Sequence, residues 1–343
     1  MPWWRGLGKR RFTGQPARQP AEETPMRRLL LAATLALCAG GAYAFPDRPV
    51  RIIVPFPPGG ASDIVARLIA ERAGRDLAHK FVVENRSGAN GNIGMEAVAR
   101  AAPDGYTLGQ CTIGNCAINA AIYARMPYDI ATELTPVFWS ASVMNLLAVR
   151  NDLPIRTVAE FIAYAKANPG KMQYGSSGFG SSNHLAPEML KGMFGLDILH
   201  VPFRGGAPAM QALIGGQVDF MLENVPTLVA AMRDGRFRGV AVTGAARDPA
   251  VPDLPTFEEA GLRGFVVEPW FGFMAPRGTP EAAVNRLNAL FNEALADAVV
   301  RARLADLGAK PQGGPPERFV AHVRSELAKW RDVVETNKIE RLQ

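Results

Sequence analysis

The residues best placed to do chemistry lie in six short loops, each after an apolar or β-branched run and before a helical pattern. They read PPGGASD (57–63), NRSGANGN (85–92), TIGNCAIN (112–119), GSSGFGSSNH (175–184), FRGGAP (203–208) and ENVP (223–226). All but the last contain glycine, which lets the backbone approach a ligand closely and reach φ > 0. The first N–H groups of a helix lack intrahelical partners and favour an anion by roughly 0.3–1 kcal/mol at exposed sites. Several such termini aimed at one cleft would hold a carboxylate with few or no cationic side chains. Pro58, Gly59, Gly60, Ala61, Ser62 and Asp63 would then form a neutral anion cradle. For this loop alone a tight βα turn, with Ser62 or Asp63 as helix N-cap, explains the residues as well. Similar loops at five or six strand ends favour binding.

Other chemistries need residues that are missing here. GSSGFGSSNH has no serine centred as G-x-S-x-G requires, so it is not a nucleophile elbow. No loop carries the P-loop lysine, and G-x-G-x-x-G is absent after the first strand. His79, His184, His200 and His322 show no metal-ligand spacing, and no cofactor is expected. His184, three residues after Ser181, could orient that serine, or it caps and packs. Arg204 could pair a ligand carboxylate bidentately or be a solvated loop charge. Glu223 ends an apolar run. It could meet a ligand hydroxyl, amine or water, or cap the helix that starts at Val225. Trp270 and Phe271 read as core or hinge packing.

The elements that position these loops alternate strand and helix, which argues for α/β layers around parallel sheets. Strands are expected at 50–55, 81–84, 107–111, 146–149, 172–175, 199–203, 218–222 and 239–243. Helices are expected at 63–76, 93–101, 158–167, 182–193, 207–215, 225–234 and 281–295, with a long amphipathic one from Glu317 to about Lys338. No flexible linker separates two cores, so the chain should cross between them on strands, best at Val143–Leu147 and Val266–Phe273.

The N-terminus is read separately. Arg27 and Arg28, an apolar run from Leu29 to Ala39 and Ala42-Tyr43-Ala44 make a secretory signal peptide over 26–44, cut between Ala44 and Phe45. Leu37 before Cys38 argues against lipid attachment. Residues 1–25 read as a non-native upstream extension from a mistaken start codon, or as a long n-region. The formal charge of +6 includes +3 from residues 1–25 and +2 from Arg27 and Arg28, which leaves the mature chain at +1. Nucleic acid is therefore not an expected partner. Cys111 and Cys116 could pair in an oxidising compartment or pack as small apolar residues.

RPVRIIVPFPPGGASDIVARLIAERA, VVENRSGANGNIGMEAVARAAPDGYTL, YGSSGFGSSNHLAPEML, HVPFRGGAPAMQALIGGQVDFML and FGFMAPRGTPEAAVNRLN together resemble the tripartite tricarboxylate transporter substrate-binding family, the TctC-like or Bug proteins. The likeness spans essentially all of residues 45–343 in order. It implies a type II periplasmic binding protein fold: two doubly wound α/β domains, joined by two crossover strands, with the ligand cleft between them. Domain 1 would comprise 45–145 and 268–343, and domain 2 146–267. The resemblance implies a periplasmic monomer that binds a small mono-, di- or tricarboxylate and delivers it to integral membrane permease subunits.

Carried over by position, the cradle is Gly59–Asp63 from one domain, with Ser176, Ser177, Gly178, Ser181, Ser182, Arg204, Gly205 and Gly206 from the other. Thr112, Asn115 and Glu223 complete the candidate set. Cys111 and Cys116, Arg204 and Glu223 depart from what relatives tend to carry, which leaves the ligand open. Two other functions compete: a ligand-dependent module for a membrane sensor, and a secreted hydrolase using Ser181 and His184.

Overall fold

The computed structural model describes residues 45–78, 80–336, 339 and 341. The expected upstream extension and signal peptide lie outside these residues, as does His79. The described chain holds two sheets.

The first sheet has the order β11-β4-β10-β3-β1-β2. Its strands are β1 (Val50–Val54), β2 (Phe81–Asn85), β3 (Thr107–Thr112), β4 (Leu134–Val143), β10 (Trp270–Pro276) and β11 (Ala309–Pro311). β1 runs parallel to β2 and β3, whereas β10 is antiparallel to both β3 and β4. The second sheet has the order β7-β6-β8-β5-β9. It contains β5 (Asn145–Val149), β6 (Met172–Ser176), β7 (Ile198–Pro202), β8 (Phe220–Asn224) and β9 (Arg238–Val242). β6 is parallel to β7 and β8, and β5 is antiparallel to β8 and β9. The chain passes from the first sheet to the second through Met144 alone, and returns between Val242 and Trp270.

The parallel strands carry apolar runs because helices cover both faces. Ile52, Ile53 and Val54 of parallel β1 are fully buried, and Leu146 to Val149 of antiparallel β5 are buried in the same way between β8 and β9 of the second sheet. Helix starts follow local chemistry. Thr157 and Glu160 form a reciprocal capping box at helix Val158–Ala167. Ser181 caps helix Ser182–Phe194 by accepting from the His184 N–H, and Gly195 closes that helix in the left-handed region at φ 63°.

Three expectations are corrected. Helix Ala61–Ala73 starts earlier than Ser62 or Asp63, and its N-cap is Gly60 with no side-chain cap. One distant and one local partnership replace that cap: the Ala61 N–H donates to Thr227 Oγ1 at 3.0 Å, and the Asp63 carboxylate turns back to accept from the Gly59 N–H at 3.0 Å. β8 extends to Asn224, so Glu223 is a strand residue and not part of a loop. TIGNCAIN is largely helical, with a π-turn at Gly114–Ile118 followed by helix Asn119–Ile122. Asn115 Oδ1 accepts from the Thr112 N–H at 2.8 Å, and Tyr128 Oη donates to the Asn115 carbonyl at 2.6 Å. Such π-turns gather where a helix is bent to serve a site. The structure joins Cys111 to Cys116 across this turn, with Cα atoms 5.8 Å apart.

β4, β11 and helix Ala298–Asp306 have no counterpart among the expected elements. β4 carries Pro136 and three hydroxyl residues, which lowers its strand signal. It is held between β10 and β11 by tertiary pairing.

Candidate ligand-binding site

The loops after β1, β3, β6, β7 and β8 converge on one cavity that is open to solvent. Gly60, Ala61 and Ser62 line it from the first loop, and Thr112, Ile113 and Gly114 from the end of β3. Ser177, Ser181, Ser182 and Asn183 come from the loop after β6, Gly206 and Ala207 from the one after β7. Glu223, Asn224 and Thr227 face it from the end of β8, with Asn90, Phe56, Pro57, Pro269 and Phe271 completing the wall. Helices Ala61–Ala73, Ser182–Phe194, Gly206–Ile214 and Val225–Arg233 all have first-turn residues in this wall. No lysine, arginine or histidine is among the lining residues. An anion here would meet the positive ends of helix dipoles, hydroxyls and carboxamides.

Nine of the candidate residues meet at the cavity: Gly60, Ala61, Ser62, Thr112, Ser177, Ser181, Ser182, Gly206 and Glu223. The others stand behind or beside it. Pro58 and Gly59 are exposed on the turn. Asp63 is buried and fully engaged, accepting from Gly59, Arg67 Nε and Asn85 Nδ2. Burial pushes its carboxyl up, but the bonds from Arg67, Asn85 and Gly59 outweigh this and hold it below the usual aspartate range. Asp63 thus holds the turn before helix Ala61–Ala73 and is not among the residues that line the cavity. Asn115 braces the π-turn, and Ser176 Oγ bonds His200 Nε2 at 2.6 Å. Gly178 and Gly205 both sit at φ +126°, where only glycine is at ease. A Cβ on Gly205 would also lie 2.8 Å from Pro57 Cδ. Arg204 is exposed and borders a neighbouring hollow with Ser87, Phe179 and Phe203.

Asn90, Asn183, Asn224 and Thr227 reach the cavity without having been singled out from the sequence. Asn183 carried the clearest signal, since it is the second residue of a helix that follows a glycine-serine loop.

Glu223 is the most deeply buried ionisable group at the cavity, only 1% exposed. Its Oε1 accepts from the Asn224 N–H at 2.8 Å and from Asn224 Nδ2 at 2.6 Å, whereas Oε2 has no partner. The carboxyl packs against the Gly206 backbone, where a Cβ would come within 2.7 Å of Cδ. Burial raises the Glu223 pKa to about 7, and the Asn224 and Asn183 amides offset only part of this.

A hydrolase would need Ser181 Oγ activated by the His184 ring. Instead Ser181 Oγ donates to the Gly178 carbonyl at 2.7 Å, and His184 Nδ1 accepts from the Gly180 N–H at 3.4 Å. His184 stacks on His200 with ring centroids 4.4 Å apart, and Tyr174 stacks on the far side of His200 at 4.7 Å. Burial lowers the His184 pKa to about 4 and that of His200 to about 3. Both rings are neutral in the folded protein at pH 5–6, while the unfolded chain takes up protons below about pH 6.5. Stability should therefore be full above about pH 6.5 and fall on acidification towards pH 4, by up to about 1.4 kcal/mol per pH unit for each histidine. Urea unfolding at pH 7, 6 and 5 measures this. His200→Phe, which keeps a ring in the stack, should show a shallower decline, and an equal decline would refute the assignment.

Two α/β domains that cup one cavity at the ends of their strands, with the chain crossing between them, are the architecture of type II periplasmic binding proteins. The chain matches the model of the tripartite tricarboxylate transporter family receptor over residues 65–339, and it belongs to that family. Family members are periplasmic solute-binding receptors and not enzymes. A Rhodopseudomonas palustris protein solved with adipate is 41% identical, with a TM-score of 0.85 over 87% of this chain and 100% of the other. MatC from the same species, solved with bound malate, is 38% identical, with a TM-score of 0.81 over 84% of this chain and all of its own. The periplasmic binding protein BugD is 35% identical, with a TM-score of 0.83 over 87% of this chain and 100% of its own.

Proposed function

We propose that this chain is an exported, monomeric receptor that captures a small carboxylate in the cavity and passes it to the integral membrane subunits of a tripartite tricarboxylate transporter. One observation carries the ligand class: four helix N-termini and a ring of hydroxyls and carboxamides line a cavity without a cationic side chain. That set suits an anion held by backbone dipoles and neutral donors. The neighbours solved with adipate and malate, both dicarboxylates, support the same class. Export follows from the signal-peptide pattern over 26–44, with cleavage at Ala44. Among the described residues no helix is long and apolar enough to cross a membrane. Residues 45–145 with 268–343, and residues 146–267, would be the two domains that close on the ligand about the crossings near Met144 and Pro269.

Thermal unfolding of the mature protein against a carboxylate panel that includes adipate and malate tests this reading. A true ligand at 100 times its Kd should stabilise the fold by about 2.7 kcal/mol. A panel with no stabilising carboxylate would remove the proposal.

A further inference from the structure

The unpartnered Oε2 of Glu223 asks what it is for. A buried carboxyl oxygen without a partner is costly in any fold. Here it belongs to a residue that lines the cavity and is 1% exposed, with the carboxyl pressed against Gly206, the first residue of helix Gly206–Ile214. Asn224 holds the opposite oxygen with two hydrogen bonds, which fixes the carboxyl plane, while the nearby Asn183 amide donates to the Leu222 carbonyl and leaves Oε2 without a hydrogen bond.

The charges around it are committed elsewhere. β5 and helix Gly206–Ile214 carry no ionisable residue. On the helix after the β6 loop, Asn183 is neutral, and Glu188 is paired with Lys191 at 2.8 Å and with Tyr174 Oη at 2.7 Å. His184 on that helix is neutral and stacked on His200. Tyr174 of β6 is pushed further up by burial beside Glu188 and keeps its proton. Arg233, at the far end of helix Val225–Arg233, donates to the Ala250 carbonyl. Across the cavity Asp63 is bound by Arg67. Among the described residues no cation therefore compensates a negative Glu223, and an ionised Glu223 would repel an incoming carboxylate while drawing on the same helix termini.

We propose that Glu223 is a hydrogen-bond donor to the ligand: in its protonated form it donates from Oε2 to a carboxylate oxygen, so that anion and proton are bound together. This rests on the carboxylate reading given above. Burial that raises the carboxyl to about 7 is consistent with it. The proton stays on Glu223 throughout and no covalent bond changes. The pH at which the protein meets its ligand then sets its affinity. Above the Glu223 pKa the dissociation constant rises by up to tenfold per pH unit, because each binding event must first restore one proton.

Calorimetric titration with adipate between pH 6.5 and 9 tests this, since both adipate carboxyls ionise well below that range. Wild-type protein should bind progressively more weakly from pH 7 to 9. Titrations in buffers of different ionisation enthalpy should show proton uptake approaching one per adipate at the alkaline end. Glu223→Gln offers an amide donor that does not titrate, so its affinity should be equal at pH 6.5 and 9, with no proton uptake from this position. A pH-independent wild type, or a Glu223→Gln variant that keeps the wild-type slope, would overturn the proposal. A second readout needs no ligand: the carboxylic-acid C=O band in infrared difference spectra of wild type minus Glu223→Gln. It should be present at pH 6 and vanish as pH rises through about 7. Its absence at pH 6 would overturn the donor role even if adipate binds. Its presence together with no binding of adipate or malate at pH 6.5 would instead defeat the carboxylate reading, and the donor role with it.

Discussion

Replacing Gly60 by valine is expected to abolish measurable carboxylate binding and leave the protein folded. Gly60 is the N-cap of helix Ala61–Ala73, with φ −82° and ψ 164°, an extended conformation open to any residue. A Cβ built there meets nothing within 4 Å, and the residue lines the cavity. The valine side chain would therefore occupy ligand space and not protein space. Stability should stay within about 0.5 kcal/mol, as for surface substitutions away from special features. Affinity should fall by more than about 100-fold, because the branched side chain separates the anion from the helix N-terminus. Calorimetry with one identified carboxylate, beside a urea unfolding curve, checks both halves. Normal binding by the variant would show that the ligand does not approach this loop. The neighbouring glycines would not give so clean a result. A Cβ on Gly205 strikes Pro57, and one on Gly206 strikes Glu223, so substitution there also disturbs the walls of the site.

Glu326→Ala should be among the most destabilising single substitutions in the second half of the chain. Trp270 of β10 and Trp330 of the C-terminal helix Pro316–Thr336 both donate their indole N–H to Glu326 Oε2, at 3.0 and 3.1 Å. The two indoles are 0% and 1% exposed, and Glu326 is 8% exposed. Truncation would leave two buried donors without an acceptor and open space between two large rings. Hydrogen bonds to a charged group contribute about 1.5–3 kcal/mol each, so a loss of about 3–5 kcal/mol is expected. Glu326→Gln keeps an acceptor oxygen and should cost less. Because Trp270 directly follows the return crossing between the sheets, the clamp fixes where that crossing ends. Urea unfolding of both variants tests the account, and a cost below about 1 kcal/mol for Glu326→Ala would exclude the clamp.

Much of the cavity was legible in the sequence, for a physical reason. Strand-to-helix loops in open α/β sheets gather at the strand ends, so collecting those loops collects the cavity wall. Gly60, Ser62, Ser177, Ser182 and Gly206 follow from that rule alone. What stayed hidden depends on distance contacts. Asp63 reads as a cap or a ligand contact, but Arg67 and Asn85 turn it away from the cavity. Arg204 sits in a loop that reaches the site, while its side chain lies outside the wall. Thr227 matters because it takes the Ala61 N–H from a loop over 160 residues earlier, which no local pattern announces. In the fold, the parallel strands announced themselves by apolar runs. β4 did not, because its pleat mixes Pro136, Ser140 and Ser142 with Phe138 and Trp139 and is stabilised by antiparallel pairing with β10.

The central claim is that the ligand carboxylate is held by backbone dipoles and neutral donors without a cationic side chain. Arg204→Ala tests it most directly, because Arg204 lies within the FRGGAP loop whose Gly206 and Ala207 line the cavity. Calorimetric titration of wild type and Arg204→Ala with the same dicarboxylate should give dissociation constants within about threefold of each other, as expected for an exposed charge. A loss corresponding to about 2–5 kcal/mol, the cost of removing one partner from a desolvated ion pair, would contradict the claim and put a charge-paired site in its place.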